Sequence, residues 1–340
     1  MLLDRDTFRN SVFKRDGNAC VVCGGDAKDA HHIIERRLFD NGGYFLDNGV
    51  ALCGYCHIKA EQTIFTPEYL RERAKISKVI LPEHLYEDYE YTKWGDIQNS
   101  NGTRYKGELF FEESVQKILK SANALDLYSE RVKYPRTYHL PFSPGTTDDD
   151  KVIKDLNTLL SKPIVVTVKM DGENTTGYSD GYIHARSLDS QNHASRNWVK
   201  KFLSERLYEL PKGYRLCGEN LYAKHSIHYK DLESYFYLFS IWDERNNCLS
   251  WQDTQEWAEL LELKLVPTLF EGIGTEEILK QLYVSKIGEN DCEGFVARWN
   301  SIFSYADFRR GVAKYVRLGH VASGTHWIKR AIIPNALTKN

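Results

Sequence analysis

At 340 residues the chain is longer than one ordinary domain and suits a small module followed by a larger one. Its 42% hydrophobic, 13% aromatic and 27% charged residues describe a folded protein, without the long apolar run that a membrane span requires. A net charge of −2 excludes any argument from bulk positive charge for nucleic-acid binding, so such binding has to rest on local basic clusters.

In chain order, MLLDRDTFRN carries charges where a signal peptide needs an apolar stretch; the expected location is the cytoplasm, with no membrane as partner. Residues 1–65 form the first expected module, with two CxxC pairs, a dense set of histidines and turns at Gly24-Gly25 and Gly42-Gly43. From 66 to 130 the helix-like segments TPEYLRERAKISKVI and ELFFEESVQKILKSA flank the polar stretch GDIQNSNGTRYKG, which predicts a connector with packed helices. The third region, 131–340, alternates strand and helix signals. Thr147-Asp148-Asp149-Asp150 is expected to start a helix with apolar positions Val152, Leu156 and Leu159. PIVVTVK reads as a buried strand, and TTGYSDGYIHA as a hairpin with Asp180-Gly181 in a type I′ turn.

Lys169 closes that apolar strand, so its amine leaves the sheet where the backbone turns into Met170-Asp171-Gly172. A lysine that attacks phosphorus must lose its proton, which nearby positive charge or burial promotes; Lys314 and Arg317 are the cations expected to fold back beside it and clamp a phosphate. Lys169-Met170-Asp171-Gly172 resembles the KxDG signature of the covalent nucleotidyltransferases. The later motifs of that superfamily follow in order: Gly218-Glu219, Tyr237-Leu238-Phe239-Ser240-Ile241, Glu293-Gly294-Phe295-Val296 and Lys314-Tyr315-Val316-Arg317. The wider wording, KMDGENTTGYSDGYIHARSLD, CGENLYAKHSIHY and VAKYVRLGHV, is similar to the nick-sealing RNA ligases of the Deinococcus type over roughly residues 131 to 340.

That resemblance implies an α+β nucleotidyltransferase domain with antiparallel sheets and flanking helices. It also implies ATP as adenylate donor, Mg2+ or Mn2+ as the metal, and nicked RNA or RNA/DNA duplex ends as the partner. It assigns Lys169 as the nucleophile that accepts AMP, and Asp171 and Glu293 as the residues that orient the lysine and the metal. Glu219 is expected on the ribose, Phe239 against the adenine ring, Gly172 at the nucleotide, Lys314 and Arg317 at phosphate, and Arg186 at the nucleic-acid end. Many relatives carry a Lys-x-Lys pair where this chain has Lys314-Tyr315-Val316-Arg317, so which cation meets the α-phosphate stays open.

In the first module, Cys20/Cys23 and Cys53/Cys56 have the pairing of a tetrahedral structural zinc site, while Cys217, Cys248 and Cys292 read as buried thiols of a reducing compartment. Around the cysteines lie His31-His32, Asn48 and His57, a set that resembles the HNH endonucleases of ββα-metal fold. The resemblance implies His31 and His57 as ligands of a second divalent cation, His32 as general base and Asn48 as the residue that positions the site. Many relatives carry an acidic residue where His31 stands, which leaves this ligand pair short of negative charge. His139, His225, His228, His320 and His326 are weaker phosphate-contact candidates. Two rival readings stay open beside the ligase: a nuclease with an accessory ligase-like domain, and a non-catalytic sensor of nucleic-acid ends.

Overall fold

The computed structural model describes residues 1–100, 102–148, 150–188, 192–319 and 331–338. The chain divides into two units, Met1–Val132 and Lys133–Asn340. No helix among the described residues is long and apolar enough to cross a membrane.

The first unit opens with α1 (Arg5–Arg15), N-capped by Asp4, whose carboxylate accepts from the backbone of Asp6 and Thr7. Next come β1 (Asp29–His32) and β2 (Gly49–Leu52), an antiparallel pair in which His31 faces Val50 and His32 faces Gly49. β2 is buried throughout and leads directly into α2 (Gly54–Glu61), where Cys53 is the N-cap. α3 (Pro67–Arg73) follows, begun by a Thr66 cap and a proline in its first turn.

In the region 66–130, expected as a connector of packed helices, the second helix-like segment is helical, but short strands surround it. After α3 its elements are four two-residue strands, β3 (Glu90–Tyr91), β4 (Ile97–Gln98), β5 (Arg104–Tyr105) and β6 (Tyr128–Ser129), with α4 (Glu113–Ser121) between the last two. Nor is the region a separate connector, because Tyr91, Trp94, Leu109, Val115 and Leu119 share one core with Ile34, Leu38 and Phe39.

The second unit begins with β7 (Tyr138–His139) and α5 (Leu156–Leu160). The helix start expected at Thr147–Asp150 moves to Asp155, whose carboxylate caps Asn157 and Thr158. Asp150 is instead part of a turn, its Oδ2 accepting from the Thr147 amide (3.1 Å) and hydroxyl (3.0 Å); Asp149 lies outside the described residues. The predicted buried strand is β8 (Ile164–Lys169), and β9 (Glu173–Tyr178) and β10 (Ile183–Ala185) are the predicted hairpin. Its turn is not type I′: only Gly181 has positive φ, and the Gly181 amide donates to the Tyr178 carbonyl, the pattern of a three-residue loop closed by a left-handed glycine.

The remaining elements are α6 (Asn197–Ser204), β11 (Arg215–Asn220), β12 (Phe236–Trp242), β13 (Asn247–Cys248), α7 (Trp251–Leu260), β14 (Lys264–Leu265), β15 (Thr268–Gly272) and α8 (Glu276–Gln281). A short hairpin, β16 (Lys286–Ile287) and β17 (Asn290–Asp291), precedes β18 (Gly294–Trp299), β19 (Phe303–Ser304), α9 (Phe308–Gly311) and β20 (Val312–Val316). One sheet runs β15-β8-β18-β20-β7 and the other β10-β9-β11-β12-β13-β19, with β14 on β12. Pairing is antiparallel except at β20–β7 and β12–β14. Leu140, Ile164, Val166, Phe295 and Ala297 of one sheet pack against Cys217, Trp242 and Phe303 of the other. Val199, Leu203 and Ala258, from α6 and α7, cover Leu216, Phe236 and Leu238 on the second sheet. The three unpaired cysteines are buried thiols, as expected.

Candidate active sites

In the first unit, the Sγ atoms of Cys20, Cys23, Cys53 and Cys56 all lie within 4.8 Å of one another, and Cys23 and Cys53 are 3.7 Å apart. Tetrahedral Zn–S bonds of about 2.3 Å would set the sulfurs about 3.8 Å apart, so the donors fit that ion. Burial pushes the Cys20 thiol up, but the backbone amides of Cys53, Cys23 and Val22 outweigh it and pull it to about 7, toward the thiolate a metal needs.

The histidine set forms a separate centre. His31 on β1 and His57 on α2 stack edge to face, 5.0 Å between ring centres. Both reach Glu61, at 3.4 Å from His31 Nδ1 and 3.3 Å from His57 Nε2. These three can share one cation, and Glu61 supplies the negative charge that the two histidines lack. Sequence reasoning missed it, although its i,i+4 spacing from His57 puts both on one face of α2. Burial pushes Glu61 up, but His31, His57 and Lys93 hold it well below the usual carboxylate range. Lys93 comes from the turn between β3 and β4; its ammonium lies 3.1 Å from both Glu61 and Glu35 and donates to the His32 carbonyl.

His32 lies outside that cluster. Its ring stacks on Phe8 at 4.6 Å and meets the edge of Tyr44. Nε2 is buried without a hydrogen-bond partner among the described residues, and burial, helped by Lys93, pushes the ring down to about 4, so it is neutral at pH 7. Asn48 is buried and ties the end of β1: Oδ1 accepts from the Ile34 amide (2.9 Å), and Nδ2 donates to the carbonyls of Ile34 (3.0 Å) and Gly43 (3.1 Å).

The second unit holds a pocket of about 660 Å³, a volume suited to a nucleotide, lined among others by Lys169, Gly172, Arg186, Glu219, Phe239 and Lys314. Strand register builds it. Gly294 on β18 faces Lys169 on one side and Val316 on the other, so Glu293, just before it, meets the amine: Lys169 Nζ to Glu293 Oε2 is 2.5 Å. Only glycine fits at 294, because a Cβ there would lie 1.9 Å from the Tyr315 carbonyl. A Cβ on Gly172 would lie 2.5 Å from the Asn220 carbonyl, and the Gly172 amide donates to Glu219 Oε1 (3.1 Å). Burial pushes Glu219 up to about 8, with the charges of Glu293 and Asp171 adding to it. Asn174 Oδ1 is buried in the pocket wall without a partner among the described residues, an acceptor left for a ligand's donor.

Asp171 orients the turn after Lys169. Its Oδ2 accepts from the amides of Ser226 (2.7 Å) and Ile227 (2.6 Å), and its own amide donates to the Tyr229 hydroxyl. That loop is in turn held by Asn335, whose Oδ1 accepts from the Tyr229 amide and whose Nδ2 donates to the Leu221 carbonyl.

Two expectations are corrected. Lys169 is not pushed toward its neutral form: burial does push it down, but Glu293, Glu219 and Asp171 outweigh that and raise it above the ordinary lysine value. Arg317 does not line the pocket. Side chains alternate along a strand, so three positions beyond Lys314 the chain faces the other way, and Arg317 acts on Tyr283 and Cys292 instead. Lys314 is thus the cation of that motif in the pocket. Among the weaker candidates, His139 is buried beside Asp150 and Ser143, His228 is exposed near the Pro334 carbonyl, and His320 and His326 lie outside the described residues.

Residues 162–316 match the RNA ligase family model, and residues 20–63 match the HNH endonuclease model. No curated protein matches the sequence. Solved structures similar to this chain include a mutant RNA ligase of Naegleria gruberi without ligand, at 20% identity and a TM-score of 0.41 over 56% of each chain. Another mutant of that ligase, with ATP and Mn, matches at 20% identity and a TM-score of 0.39, over 56% of this chain and 57% of that one. The ligase with PPi matches at 19% identity and a TM-score of 0.35, over 55% of this chain and 61% of that one. The chain therefore spans under two thirds of the length of these ligases. On these family matches, one chain joins an HNH endonuclease domain, residues 20–63, to an RNA ligase domain, residues 162–316.

Proposed function

We propose that the protein is an ATP-dependent RNA ligase that forms a covalent lysyl-AMP on Lys169 and seals 5′-phosphate to 3′-hydroxyl breaks in nicked RNA-containing duplexes. The observation that carries this reading is the half-buried amine of Lys169 in a nucleotide-sized pocket, 2.5 Å from the Glu293 carboxylate. In the first step the Lys169 proton passes to Glu293, Nζ bonds to the α-phosphorus of ATP, and the bond to pyrophosphate breaks. AMP then passes to a 5′-phosphate as the P–N bond breaks, and a 3′-hydroxyl displaces it as the phosphodiester forms. Glu219 meets the ribose, Phe239 the adenine, Lys314 the phosphates and Arg186 the nucleic-acid end. A bound Mg2+ or Mn2+ supplies charge neutralisation on the phosphates.

The test is incubation of wild type and Lys169→Ala with radiolabelled ATP and Mg2+, followed by a denaturing gel. Label on the wild type alone is expected. An unlabelled wild type, in protein free of pre-bound AMP, sinks the reading.

A specific observation favours a second activity in the same chain, metal-dependent phosphodiester cleavage. His31, His57 and Glu61 converge on one point, and the Nε2 of His32, the next residue along β1, has no partner among the described residues. In this reading those three hold a divalent cation, His32 takes a proton from water, and Cys20, Cys23, Cys53 and Cys56 hold a structural Zn2+ that fixes the module. The reduced thiols suit the cytoplasm.

A further inference from the structure

Lys314 does not stand alone in the pocket wall. It lies on β20 directly beside His139 of β7, in a parallel pairing that sets the two at the same level. Both reach one oxygen: Asp150 Oδ1 is 3.8 Å from Lys314 Nζ and 3.3 Å from His139 Nε2. The carboxylate is fixed from its other side, since Oδ2 accepts from the amide and hydroxyl of Thr147. The imidazole is fixed as well: Nδ1 lies 2.9 Å from Ser143 Oγ, and that hydroxyl accepts from the Val316 amide on the same strand as Lys314. Four residues of the segment 139–150 thus end on one ammonium, and all four precede the region matched by the RNA ligase family model.

We propose that Asp150, clamped by Thr147 and braced by His139, is a positioning residue that holds the Lys314 side chain charged and aimed into the nucleotide pocket. This rests on the ligase reading above, in which Lys314 meets phosphate. The need for such a residue is electrostatic. Lys314 shares the pocket with the cations Lys169 and Arg186, and His139 is a further basic neighbour; among the described residues Glu293 is the other carboxylate acting on it, already paired with Lys169. Burial, then the charge on Lys169, pushes Lys314 down to about 8, with Asp150 opposing. Without Asp150 the lysine would lose its proton at lower pH and meet the phosphates uncharged.

The experiment measures kcat/KM for ATP in self-adenylylation, which reports the free enzyme, from pH 6.5 to 9 at saturating Mg2+, for wild type, Asp150→Asn and Asp150→Glu. For Asp150→Asn, the rate is expected within about twofold of wild type at pH 6.5 and about five- to tenfold lower at pH 8.5, as one unit of lowered pKa dictates. Asp150→Glu is expected to recover most of the loss. The near-normal rate at pH 6.5 shows that the variant is folded. An even loss across the pH range, the mark of a merely structural role, overturns the proposal, as does no loss at pH 8.5. Either result leaves the ligase reading standing, whereas a wild type that takes up no label ends both.

Discussion

The two centres are electrostatic opposites. In the HNH domain one carboxylate, Glu61, is surrounded by His31, His57 and Lys93; in the ligase domain one amine, Lys169, is surrounded by Glu293, Glu219 and Asp171. Burial works against the charged form in both; hydrogen bonds from His31 and His57, with the charge of Lys93, outweigh it at Glu61, and neighbouring carboxylates outweigh it at Lys169. The consequences diverge. A carboxylate kept ionised can receive a metal cation, so in the proposed cleavage the first site rests in its working state. An amine kept protonated cannot attack phosphorus, so in the proposed reaction Lys169 rests masked until its proton passes to Glu293.

Three substitutions test that contrast. The largest expected effect is that of His32→Ala, which abolishes metal-dependent cutting of an RNA or DNA substrate and leaves lysyl-AMP formation at the wild-type level. Unchanged cutting would show that another group activates water. Glu293→Gln comes next, with self-adenylylation at pH 8 slowed by about 10²-fold or more as the proton acceptor is lost. Its pH dependence has a definite sign. Glu293 raises Lys169, so without it the amine loses its proton at lower pH, and the variant's residual rate levels off earlier than that of wild type. A residual rate still climbing in parallel with wild type would mean that Glu293 does not set the state of the amine. Glu61→Gln has the smallest effect, weakening Mn2+ binding to the full chain by roughly 10- to 100-fold in a titration, with adenylylation untouched. Undiminished Mn2+ affinity would place the cation elsewhere.

Much of this was legible in the sequence wherever a pattern is long or chemically rare. The unbroken apolar run of β8, ending in Lys169, could be read as a buried strand, and two CxxC pairs point to a cluster of four sulfurs. Strands β3 to β6 were not legible, because two residues carry no period. The start of α5 lies later than expected because Asp148, Asp149, Asp150 and Asp155 are all good caps in isolation, and only the fold tells which one begins the helix. Arg317 was readable and misread: counting by twos from Lys314 already puts it on the far face. The charge state of Lys169 was beyond the sequence, since Glu219 and Glu293 become its neighbours only through strand register.

Asn335 has a practical consequence for anyone trimming the protein. It holds the loop whose Tyr229 hydroxyl and Ser226 and Ile227 amides hold Asp171, so the geometry around Lys169 depends on a side chain well outside the family-matched stretch. A fragment cut at the borders of residues 162–316 would keep Lys169, Glu219, Glu293 and Lys314 and lose the stitch that shapes the turn after Lys169. The smallest intact piece of this protein is set by its hydrogen bonds, not by the extent of its recognisable sequence.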